Sequence, residues 1–228
     1  MRLILVRHGE PNYKLDCLTE KGRLQAEAAA RRLQDEEIVK IYASNLGRAK
    51  ETAAYIAAPR GLEVTELPFM RELGWSETKV ELPFGGHPWH LADLIVAEGG
   101  DIHATNFAEE GYFKENNATR RAALVGEGID ALLAEYGYRR EGQYYRVERE
   151  CRDTILIASH GGSSSALIAH LLGLPFPFVV ATMCPAFTSV TVLHLKGETG
   201  ERIIPHLESF NDYRHILGIT GEMKTGTE

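Results

Sequence analysis

Hydrophobic and polar positions along the chain follow two periods. Leu3 to Val6 is an unbroken run of mostly branched aliphatic side chains, and Thr154-Ile-Leu-Ile-Ala-Ser159 is another. Runs of this length and kind read as strands buried on both faces. Ile38–Ala43, Leu62–Glu66 and Thr188–Leu195 carry further strand signals, and a turn at Gly197–Gly200 predicts that Arg202–Leu207 pairs back as a hairpin. Between the strands the period lengthens. Thr19 caps a helix over about 20–34, with Glu20 at its positive end. Leu24, Ala28 and Leu33 mark its apolar face, with Arg23, Glu27, Arg31 and Arg32 elsewhere. Ser44 or Asn45 is expected to cap a second helix, Leu91–Ala97 is a short one, Ala118–Tyr136 a long one, and an apolar helix follows Ser159 to about Leu172.

Strands that alternate with helices imply an α/β fold: three layers, α/β/α, around a mostly parallel sheet. The exception is 76–117. Pro83-Phe-Gly-Gly-His-Pro-Trp89 is turn-rich, and 99–111 is rich in Gly and acid. This stretch is expected to be an insertion or lid within a single domain spanning 1–228.

Composition narrows the function classes. Of 228 residues 44% are hydrophobic, enough for a sizeable core, and the formal net charge of −7 argues against a general binder of nucleic acid or anionic membrane. A local basic pocket is not excluded. No apolar run reaches membrane-spanning length, and the chain opens on a strand rather than a leader. Cys17, Cys151 and Cys184 are odd in number and widely spaced, which fits a reducing cytoplasm better than a disulfide framework or a zinc site.

The chemistry sits where the two aliphatic strands stop. The first ends in Arg7-His8-Gly9-Glu10 and the second in His160-Gly161-Gly162. In open α/β sheets ligands bind at the carboxyl ends of the strands, so both histidines are expected at one edge. Arg7 can grip two oxygens of an anion, and His8 can attack or donate. Arg48 falls in the first turns of the second helix, where a cation is electrostatically uphill, and this favours an anionic partner.

Four motifs in order, Arg7-His8-Gly9-Glu10, Leu18-Thr19-Glu20-Lys21-Gly22-Arg23-Leu24-Gln25-Ala26, Ser44-Asn45-Leu46-Gly47-Arg48-Ala49-Lys50-Glu51-Thr52-Ala53 and Ser159-His160-Gly161-Gly162, resemble the histidine phosphatase superfamily, in its phosphoglycerate mutase-like branch. The resemblance covers about 1–75 and 150–195. It implies a phosphatase that hydrolyses a small phosphate monoester through a phosphohistidine on His8, needing no cofactor or metal. It implies that Arg7, Arg48 and His160 hold the phosphoryl oxygens, with Asn12 and Gly161 lining the substrate site. Glu72, in Arg71-Glu72-Leu73-Gly74-Trp75, falls at the place of the family's proton donor, with Glu66 and Glu77 as nearby carboxylates. The chain departs from the mutases: Pro11-Asn12 replaces the usual Thr or Ser, Lys14 stands where they carry an Asn, and their pattern around the proton donor is absent. That favours phosphatase over a mutase-like phosphotransferase. A catalytically inactive phospho-ligand binding protein is a third reading, and a homodimer is left open.

Other residues have blander readings. His87, His90 and His103 match no metal-ligand spacing and read as solvated loop histidines. Ser163–Ser165 lack the Gly-x-Ser-x-Gly elbow and read as helix-start residues. Tyr213, Arg214 and His215 in the tail could either touch the site or lie on the surface.

Overall fold

The two aliphatic runs become neighbours at the centre of the sheet. The structure is a computed structural model that describes residues 1–74, 88–109, 111–114 and 116–220. In chain order its elements are β1 (Arg2–Arg7), β2 (Pro11–Asn12), β3 (Cys17–Leu18), α1 (Glu20–Arg32), β4 (Ile38–Ala43), α2 (Gly47–Ala57), β5 (Val64–Glu66), α3 (Leu91–Ala97), α4 (Asn117–Glu135), β6 (Tyr138–Glu141), β7 (Tyr144–Val147), β8 (Thr154–Ser159), α5 (Gly161–Leu172), α6 (Phe176–Thr182), β9 (Val190–His194), β10 (Arg202–Ile203), β11 (His206–Asp212) and α7 (Leu217–Thr220). The main sheet has the order β11-β9-β1-β8-β4-β5. β1, β8, β4 and β5 are parallel, and β9 is antiparallel to both β1 and β11, so one strand of the six runs against the rest.

Alternate residues of β1 face two different cores. Leu3 and Leu5 pack with Ile155, Ile157, α4 and α5, whereas Ile4 and Val6 pack with Leu156, Ala158, Ile56 of α2 and Leu33 after α1. All four β1 side chains are buried. Each such burial is worth roughly 1.5–3 kcal/mol, so a strand with helices on both faces needs the unbroken aliphatic run. The expected α/β class and mostly parallel sheet are those observed.

Several local expectations are corrected. Leu24 is 52% exposed, and α1 buries Gly22, Gln25, Ala26, Ala28 and Ala29 instead. The helix sits too close to the sheet for a large side chain on that face. Neither Ser44 nor Asn45 caps α2. Its N-cap is Leu46, and the Gly47 N–H is satisfied by the Asp16 carboxylate at 2.7 Å. Arg202–Leu207 splits: Arg202 and Ile203 pair with β7, and the partner of β9 begins at His206. The β6–β7 hairpin and α6 carried no recognised signal. Within 76–117 the described part packs inward through Leu91, Phe113 and Trp89. Trp75, Glu77 and His87 lie outside the described residues.

Candidate active site

Parallel pairing of β1 with β8 sets Arg7 opposite Ser159, so His8 and His160 leave adjacent strands at the same carboxyl edge. Their ring centroids are 5.1 Å apart, edge to face. The His8 N–H still bonds to Ser159 O at 2.9 Å, which fixes its backbone to the sheet. Its ring is fixed twice. Nδ1 lies 2.7 Å from Gly9 O, an acceptor, so Nδ1 carries the proton. Arg48 Nε–H donates to Nε2 at 3.4 Å, and because a guanidinium only donates, Nε2 must hold the lone pair. His8 thus presents a neutral, nucleophilic nitrogen.

Close backbone packing explains the glycines of the motifs. A Cβ on Gly9 would meet Gly22 O at 2.5 Å, and one on Gly22 would meet Glu10 O at 2.2 Å. The strand end and the start of α1 touch backbone to backbone, with Thr19 Oγ1 accepting from Gly22 N–H at 3.0 Å as the expected cap. Thr52 adds a strut from α2: its Oγ1 accepts from Gly9 N–H at 3.1 Å and donates to Arg48 O at 2.8 Å.

Both imidazoles are held well below the usual 6.5. For His8 the largest cause is burial, followed by the Arg7 charge, with the Gly9 carbonyl pulling the other way. For His160 it is burial, then His8, Arg48 and Arg7.

Arg7 is 7% exposed. Nη1 donates to Pro185 O at 2.6 Å, and its guanidinium carbon lies 4.4 Å from the centre of the Phe187 ring. Its Nε has no partner, and no carboxylate pairs with it among the described residues. Arg48, 8% exposed, pairs with Asp16 at 2.6 Å. That carboxylate supplies the anion expected at this helix start, and its own pKa is lowered by Gly47 N–H and Arg48 against the opposing effect of burial.

Glu72 lies against the start of α5. Its Oε1 accepts from Ser163 N–H at 3.1 Å and Leu73 N–H at 2.9 Å, and a Cβ on Gly162 would come within 2.7 Å of it. Glu66, by contrast, is an exposed partner of Lys50 on β5. Gly161 packs against Arg7, where its Cβ would lie 3.6 Å from the guanidinium carbon. Asn12 uses its Oδ1 to accept from Leu15 N–H at 3.2 Å, closing the turn between β2 and β3. Ser163 Oγ accepts from His160 N–H at 3.4 Å, the helix-start role expected of it. His215 reaches the strand end at one remove, through Thr188, whose N–H donates to Arg7 O. Among the described residues no three His, Cys, Asp or Glu are grouped to hold a metal, and no helix is long and apolar enough to cross a membrane. Sequence reasoning missed Asp16 and Thr52 as parts of the site; the second stood inside a quoted motif region as Ala49-Lys50-Glu51-Thr52.

A sheet that carries two neutral imidazoles and two guanidinium groups to one edge is built for phosphatase or phosphotransferase chemistry. The profile of the histidine phosphatase superfamily (branch 1) matches residues 3–82. The chain is 29% identical over 185 residues to the Yersinia enterocolitica protein named "Probable phosphoglycerate mutase GpmB", covering 77% of this chain and 76% of that one. Among solved structures it resembles a mycobacterial glucosyl-3-phosphoglycerate phosphatase, at 28% identity and TM-score 0.64 over 92% of this chain and 98% of that one. It also shares the fold of the Entamoeba histolytica phosphoserine phosphatase, at 24% identity and TM-score 0.62 over 95% and 99% of the two chains. On these likenesses the chain is similar to the histidine phosphatase superfamily.

Proposed function

We propose that the chain is a phosphatase that hydrolyses a small phosphate monoester through a phosphohistidine on His8. One observation carries this: a buried, neutral His8 whose Nε2 lone pair is set beside Arg48 and a second neutral imidazole. His8 Nε2 attacks phosphorus in line, forming the N–P bond as the ester P–O bond breaks. Arg7, Arg48 and His160 take up charge on the transferring oxygens, with Asn12 and Gly161 beside them. Glu72 gives its proton to the leaving alkoxide. Water then attacks the phosphohistidine, Glu72 takes its proton back, and inorganic phosphate leaves with His8 restored.

Residues 76–117 are assigned to substrate selection over the site. Their described part packs on α6, which runs into the Cys184–Phe187 loop that holds Arg7. The mycobacterial neighbour supports a phosphorylated hydroxy acid or its derivative as substrate. The unpaired Cys17, Cys151 and Cys184 suit a cytoplasmic setting. A mutase-like phosphotransferase is the second reading, favoured by the name of the Yersinia relative.

Rapid-quench labelling with a phosphorus-labelled substrate is the test. An acid-labile adduct on His8, free phosphate as product and loss of turnover in His8→Ala are expected. A label that moves to a second position of the same molecule supports the mutase. Steady turnover with no trapped adduct would overturn the covalent mechanism.

A further inference from the structure

Three adjacent strands, β1, β8 and β4, bring His8, His160 and Ser44 to one edge of the sheet. Ser44 follows β4 directly, its N–H donates to Ala158 O at 2.9 Å, and its side chain is fully buried. Its Oγ lies 2.7 Å from His160 Nε2 and also accepts from Leu46 N–H at 3.3 Å. A buried hydroxyl needs an acceptor for its own proton. Among the described residues His160 Nε2 is the acceptor within reach. Were Nε2 protonated instead, Ser44 Oγ would receive two donors and its own proton would have no acceptor. The Ser44 proton therefore points at Nε2, and a neutral ring must then carry its hydrogen on Nδ1. Nδ1 is buried beside the start of α5, where the Ser163 N–H is directed to Glu72 Oε1 at 3.1 Å, and makes no hydrogen bond of its own.

We infer that Ser44 is a positioning residue that fixes His160 in the Nδ1–H tautomer, so that the ring can donate a hydrogen bond to the transferring phosphoryl group while uncharged. The inference rests on the phosphatase reading of the site. It also accounts for the unfilled hydrogen-bond capacity next to His8. The unpartnered Nδ1–H of His160 and Nε–H of Arg7 are two buried donors that an anion's oxygens would satisfy.

Two measurements test it together. Nitrogen-15 NMR of histidine-labelled wild-type protein without ligand reads the tautomer directly, and should show His160 protonated at Nδ1. Steady-state kinetics of Ser44→Ala should show kcat down by about 10–100-fold, the usual scale for losing an orienting partner. KM should stay within about twofold, because the lost interaction acts on the reacting oxygens. The His160 signals of the variant should move toward the Nε2–H form or a mixture. An Nε2–H tautomer in the wild type would overturn the inference, whether or not the variant folds. So would a folded Ser44→Ala with wild-type kcat. A wild type that shows the Nδ1–H tautomer but hydrolyses no phosphomonoester would uphold the Ser44–His160 assignment and sink the phosphatase reading.

Discussion

The neutrality of His8 and His160 makes stability depend on pH in a window that few other groups share. Both imidazoles are buried and depressed below their ordinary value of 6.5, while in the unfolded chain both titrate normally. Above 6.5 neither state binds the proton, and burial of the rings carries no pH-dependent cost. As the pH falls through 6.5 the unfolded chain takes up protons that the folded chain refuses, so stability drops until the folded values are reached. Each depressed ring therefore costs stability as the pH falls below 6.5, by at most about 1.4 kcal/mol for each pH unit. Depressed carboxylates act lower down: Asp16, Asp130 and Asp212, the last at about 2, keep their contribution above the ordinary carboxylate range and lose it only as pH falls below. His194 and His215 are also lowered, but they add equally to wild type and variant. The assay is urea unfolding at pH 7.5 and 5.0 for wild type, His8→Asn, His160→Asn and the double variant. Each single change should shrink the acid loss, by up to about 2 kcal/mol, whatever it does to stability at pH 7.5. The rings interact, so the double variant is the cleaner measure of the pair. An acid loss identical in all four proteins would mean that both rings titrate freely in the fold, and the neutral-nucleophile argument would fail with it.

Four further outcomes are expected. Binding of a phosphate analogue such as vanadate should leave His160 uncharged and donating through Nδ1–H, so nitrogen-15 NMR of the complex at pH 7.5 should show no imidazolium at His160. Gly162→Ala places a methyl 2.7 Å from Glu72 Oε1, the end of a flexible side chain, so kcat should fall with little change in melting temperature. Gly22→Ala instead meets the rigid Glu10 carbonyl at 2.2 Å, and should cost stability by about 1–3 kcal/mol in denaturant melts. Asp16→Ala frees Arg48 and uncaps α2. It should cost about 0.5–2 kcal/mol as a lost cap and lower kcat/KM, with the two effects separated by melts and kinetics.

The parts of this fold legible in the sequence were those decided by local pattern. The β8 run and the helix after it fall at Thr154–Ser159 and Gly161–Leu172, because full burial on two faces leaves no polar residue to blur the strand. Pairing those strands in parallel was enough to bring His8 and His160 together. Legibility failed where packing distance or tertiary partners decide. Leu24 was placed on the buried face of α1 by its size, yet the contact of Gly22 with Glu10 draws the helix so close that only small residues and Gln25 fit beneath it. The β6–β7 hairpin hides Tyr138, Tyr145 and Val147 between arginines and glutamates that pair across the strands, so its alternation reads as a charged surface stretch. Asp16 shows how far a local argument reaches. An arginine at the start of α2 calls for an anion, and one is present, but it comes from a loop 32 residues earlier that no spacing rule would select. That internal carboxylate answers Arg48 alone. Arg7 is equally buried and has no carboxylate partner among the described residues, so the site's uncompensated cation lies there, where an incoming anion would offset the desolvation that the guanidinium already bears.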